Sequence, residues 1–96
     1  MGVKKGSIKL NSVGEYTIPI IRGLIHLRWS ATSTSFIAAI VSKNIIELAN
    51  GYSEVYGVGT NDKVINVSKS SDSDYLKVTY NSTSTNNTLE WVALTE

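Results

Sequence analysis

The 96-residue sequence has no cysteine and only one histidine, one proline and one methionine. Without cysteine, neither a disulfide framework nor a thiolate metal site is open to it. His26 is the lone imidazole and has no Asp or Glu beside it, so neither a zinc site nor a Ser-His-Asp relay can be assembled around it locally. Charge of one sign is also missing. Nine basic and eight acidic side chains leave a net +1 with no cluster of either, which gives no electrostatic footprint for nucleic acid. No apolar run approaches the ~20 residues of a membrane span. No apolar h-region follows the opening MGVKKG, and position 6 is Gly6 where a myristoylation signal has Ser or Thr. This start is consistent with a cytoplasmically made chain or a fragment with an added Met. No glycine-rich phosphate loop leads into a helix. No catalytic, metal or nucleotide-binding motif is legible in these residues, and no cofactor is expected.

What the chain has instead is uncharged polarity. Ser, Thr and Asn supply thirty residues, against 18% charged. Ser and Asn favour turns and Thr favours strands, a composition suited to many short strands joined by polar loops. The densest apolar stretch runs from Ile20 to Val41. Within it Ile21, Ile25, Leu27 and Trp29 alternate with Arg22, His26 and Arg28, the period-two pattern of a strand with one buried face. After the polar link SATSTS comes a run that does not alternate. Phe36, Ala38 and Ile40 point one way, and Ile37, Ala39 and Val41 the other. As a strand it is apolar on both faces, and a domain of this size buries only roughly 60–65% of its unfolded surface. Identical neighbours would supply the missing cover, so Phe36, Ile37, Ile40 and Val41 are the candidate seam of a homo-oligomer.

Alternation recurs over Lys63–Ser68 (Ile65, Val67), Tyr75–Asn81 (Leu76, Val78, Tyr80) and Thr88–Thr95 (Leu89, Trp91, Ala93). Turn signals between these runs come every ~8–12 residues, the spacing of a sandwich or barrel. Pro19 interrupts the alternating Glu15–Ile20 and places that segment at an edge, at a bulge or unpaired there, and Gly23 marks a bend between strands. Ile37, Ile40, Val41, Ile45 and Leu48 also fit a helix over Ser35–Asn50. The β-formers of Phe36–Val41 and the turn Ser42-Lys43-Asn44 favour two strands instead. The pattern predicts an all-β, antiparallel, jelly-roll-like sandwich of about eight strands in two sheets. It is one domain over 1–96, with residues 1–7 as an entry arm and a short edge strand within Val3–Leu10 (Ile8, Leu10).

Four residues are candidates for binding. Tyr52 and Tyr56 flank Glu54 on one face of a glycine-bounded segment, where two rings would form a platform for a sugar; tyrosines at a core margin give the same pattern. Asp72 and Asp74 are candidate acceptors for sugar hydroxyls on a turn. With Asp62 they also offer oxygen ligands for calcium, without EF-hand spacing. Eight scattered acids carry no glycosidase signal. The tripeptides at Asn66, Asn81 and Asn86 match the glycosylation pattern through composition alone. His26 is a surface or interface residue, and a pH-sensitive one if subunits pack there.

The succession IPIIRGLIHLRWSATSTSFIAAIVS, a Gly/Tyr segment, VINVS and DYLKVTYNSTSTNNTLEWVALT resembles the small β-sandwich tips of phage tail fibres, head fibres and related receptor-binding proteins. The resemblance covers Tyr16 to Thr95 and rests on the order of features rather than a fixed signature. It implies a homotrimeric, non-enzymatic virion protein that recognises a bacterial surface receptor, often a glycan. It also implies a closing hairpin over 74–95. The start at Lys4-Lys5 lacks a fibre shaft, which fits an isolated head domain or a short virion decoration. The residues alone leave open a monomeric carbohydrate-binding module of a secreted enzyme, or an oligomerisation domain with no ligand of its own.

Overall fold

Alternation of apolar and polar residues is realised as nine strands among the described residues. They are β1 (Gly2–Leu10), β2 (Gly14–Ile18), β3 (Gly23–Trp29), β4 (Thr34–Val41), β5 (Asn44–Asn50), β6 (Tyr56–Val58), β7 (Ile65–Lys69), β8 (Leu76–Tyr80) and β9 (Asn87–Thr95). The structure, a computed structural model, describes residues 2–71 and 74–95, and no helix occurs among them. One sheet has the order β1-β9-β3-β4-β5, the other β2-β8-β7-β6. All pairings are antiparallel except β6 with β7. β1 beside β9 in one sheet and β2 beside β8 in the other give the jelly-roll wrap, while β3-β4-β5 remains a simple meander.

The two sheets bury one face each. Ile25, Leu27 and Trp29 of β3 meet Ile65 and Val67 of β7, Leu76, Val78 and Tyr80 of β8, and Leu89, Trp91 and Ala93 of β9 in one core cluster. Every one of these residues belongs to the inward set that period two assigns. Ile21 does not, because β3 begins only at Gly23, and Ile21 is exposed in the preceding turn. At Gly23 the φ is 139°, and an added Cβ would collide with the Leu94 carbonyl. The tight crossing into the sheet therefore needs glycine. Pro19 follows directly on the last residue of β2, where the ladder needs no donor from it.

The short edge strand read over Val3–Leu10 is present and begins at Gly2, with β1 paired residue by residue to β9. Two expectations change. The closing segment is not a hairpin, because β8 and β9 lie in different sheets and 81–86 crosses between them. Phe36 and Ile40 do not form a seam between subunits. They are 0% and 1% exposed inside the single chain, since the four-stranded sheet already covers the inner face of β4. Only Ile37 and Val41, on the outer face, remain open. The ambiguous 35–50 segment is the hairpin β4–β5, turned by Ser42 (φ 56°) and Lys43.

Candidate functional site

The topology sorts the connections to two ends of the sandwich. Gly2 pairs with Thr95, and Thr95 with Gly23, so both outermost residues of the five-stranded sheet lie at one end. The 19–22 connection and the end of β7 join them there: the Lys69 ammonium donates to the Ile21 carbonyl at 3.0 Å, and the Thr95 hydroxyl to the Arg22 carbonyl at 2.7 Å. The opposite end carries the segments 11–13, 30–33, 51–55, 59–64 and 81–86. They are knitted together by Ser30 N–H to the Thr88 carbonyl, Gly51 N–H to the Ser35 carbonyl, and the Asn81 amide to the Asn61 carbonyl.

The paired-ring platform does not form. An extended 51–56 would set Tyr52 and Tyr56 on one face, but the Val55 and Tyr56 amides both donate back to the Tyr52 carbonyl, at 2.9 and 3.0 Å. This tight turn swings Tyr56 into the core, where it is 1% exposed and stacks on Phe36 with ring centroids 5.4 Å apart. Its hydroxyl donates to the Thr34 carbonyl at 2.7 Å and accepts the Trp29 amide at 3.0 Å. Burial raises its pKa above the ordinary 10.0, opposed by the Trp29 amide, the contact with Thr34 and the Arg28 charge. Tyr52 stays at the surface, 39% exposed, its amide held by the Asn50 side chain at 3.1 Å.

The two aspartates are not gathered with Tyr52. Asp72 lies outside the described residues, and Asp74 is exposed at the end bearing Gly2 and Thr95. Among the described residues no three His, Cys, Asp or Glu side chains converge as a metal site would require. Two of the three asparagines in glycosylation-like tripeptides are structural. The buried Asn66 side chain bonds the Lys63 backbone and the Thr60 hydroxyl, and Asn81 donates to the Asn61 and Lys63 carbonyls.

What the end opposite Gly2 and Thr95 offers is a surface of hydroxyls and amides. Fourteen of its twenty-four loop residues are Ser, Thr or Asn, and only Glu54, Asp62 and Lys63 carry charge. An open cleft of about 390 Å³ sits there, lined by Lys9, Asn11, Asn86, Asn87 and Thr88. Asn86 holds a left-handed backbone (φ 64°), a conformation asparagine tolerates better than most residues. Composition revealed the polar bias of the chain, but only the topology gathers it at one end.

A second surface went unread in the sequence. The outer face of the five-stranded sheet carries an unbroken transverse row of apolar side chains, Val3, Leu94, Leu24, Ala39 and Ile46, one from each strand in register. The next row is Lys5, Val92, His26, Ile37 and Ala49, and the next begins Ser7, Glu90, Arg28 and Ser35. His26 is half-buried there, 2.9 Å from the Ser35 hydroxyl. The outer face of the four-stranded sheet has the opposite character, with Glu15, Thr17, Lys77, Thr79 and Ser68.

Comparison with known proteins returned no matching family model, no matching curated protein and no matching solved structure.

Proposed function

We propose that this chain is a non-enzymatic receptor-binding domain of a phage virion, a fibre tip or head decoration that adsorbs to a bacterial surface glycan as a homotrimer. The observation that carries this reading is the loop end away from Gly2 and Thr95. Its hydroxyls and side-chain amides supply paired donors and acceptors of the kind sugar hydroxyls need. The exposed ring of Tyr52 adds an apolar face ending in a hydroxyl, suited to stacking on a pyranose. Charge is sparse there, as recognition of a neutral polyhydroxylated ligand requires. The virion assignment rests on the resemblance of residues 16–95 to fibre tips.

The test is whole-cell adsorption and glycan-array binding by the wild type and by a Tyr52→Ala, Asn86→Ala, Asn87→Ala variant. Loss of both signals with an unchanged far-UV spectrum is the expected result. Unchanged binding by the folded variant would move the site off this end. A monomeric carbohydrate-binding module predicts the same loss but a solution mass of one chain.

A further inference from the structure

We infer that the outer face of the five-stranded sheet is the seam of the assembly, covered by the same face of other copies of this chain. This rests on the assembly part of the reading above and names the surface that performs it. Among the described residues, seven of the eleven exposed large apolar side chains lie on this face: Val3, Leu24, Ile37, Val41, Ile46, Val92 and Leu94. They are contiguous across all five strands, and a contiguous apolar patch, unlike residues scattered singly, marks an interaction surface.

The size of the face fits a specific contact. Five strands span about 19 Å, and a seven-residue strand about 20 Å, so the face projects roughly 400 Å². Its accessible area is larger because the side chains stand out from the sheet, which brings it toward the ~800 Å² per partner of a standard interface.

The order of the rows selects identical copies as the occupant. Around a symmetry axis parallel to the strands, each row of one copy meets the same row of the next. The row through Leu24 then meets only apolar side chains. In the row holding Glu90 and Arg28 the two charges stand opposite each other within one chain, so neither meets a neighbouring copy uncompensated. Lys5 lies at the rim, on the edge strand β1. Three copies also fit: sheets about 19 Å wide closing a triangular prism stand about 5.5 Å from its axis, near half the ~10 Å spacing of stacked sheets.

The test is sedimentation of the full chain at about 100 μM, where an assembly of this kind is populated, with a Leu24→Glu, Leu94→Glu variant alongside. The wild type is expected at three times the 10.4 kDa of one chain. The variant is expected to be a folded monomer by far-UV circular dichroism, because both side chains already point to solvent. A control pair on the other sheet, Thr17→Glu and Thr79→Glu, keeps the wild-type mass. If the double variant fails to fold, Ile46→Glu on the edge strand β5 decides between the same outcomes. A wild type at the mass of one chain overturns the inference, as does a folded face variant with unchanged mass. A monomer that still binds glycan leaves the loop-end reading standing, and an oligomer that binds no cell leaves the seam standing.

Discussion

Two tyrosines four positions apart have opposite fates, and the cause is local. The turn that closes on the Tyr52 carbonyl buries Tyr56 and leaves Tyr52 at the surface. Tyr56→Phe would keep the stacking on Phe36 but leave the buried Trp29 amide and the Thr34 carbonyl without their partner. Loss of about 1–3 kcal/mol is expected, read as a fall in urea midpoint at unchanged slope. Tyr52→Ala should stay within about 0.5 kcal/mol of the wild type in the same assay. Ionisation gives a second readout. Because burial holds the Tyr56 proton more tightly than in the unfolded chain, its contribution to stability is complete below pH 10.0. That contribution is lost as the pH rises from there through the folded-state value. Stability measured from pH 8 to beyond 10 should therefore fall less steeply in Tyr56→Phe than in the wild type.

β4 shows how one strand serves two surfaces. Its inward set fills the core, and its outward set lies in the face assigned to the seam. Replacing one residue of each set separates the roles. Ile40→Asp places a carboxylate with no partner in the core and should abolish folding of the single chain. Ile37→Asp puts the same charge on the outer face, where the monomer leaves it in water, and should dissociate the assembly without unfolding it. Far-UV circular dichroism together with sedimentation checks both, and dissociation to a folded monomer by Ile40→Asp would contradict the core placement. The same strand explains a limit of pattern reading. A doubly apolar run says that both faces need cover, but it does not say which face the chain itself covers.

In the whole molecule the two surfaces are set apart. The outer sheet face runs along the strands, and the polar loops cap one end, so copies joined through the sheets present their loop ends together. A shallow site of hydroxyls, amides and one aromatic ring binds weakly, because the entropy lost in ordering the ligand offsets much of the attraction. Linked copies make each later binding event intramolecular and raise avidity by roughly 10²–10⁴. The Leu24→Glu, Leu94→Glu monomer should therefore lose cell adsorption by about that factor. Its affinity for a soluble monovalent sugar should equal the wild type's, as calorimetric titration would show. A fall in both would place the glycan site across the seam rather than on one chain.

The sequence by itself determined the class of fold and the inward set of most strands. Period-two alternation in β3, β7, β8 and β9 is imposed by the pleat and needs no knowledge of neighbours. The glycine at the bend was legible for the same reason, since it states a local backbone requirement; Pro19 marked an interruption without saying that β2 ends at Ile18. Tertiary structure decided everything that depends on which strands become partners. It placed β8 and β9 in different sheets, committed Phe36 and Ile40 to the core, turned Tyr56 inward, and put Asp74 at the end away from Tyr52. It also aligned Val3, Leu94, Leu24, Ala39 and Ile46 across five strands. Residues so distant in sequence share a row only through ladder register, and register is fixed by pairing between strands rather than by the pattern within any one of them.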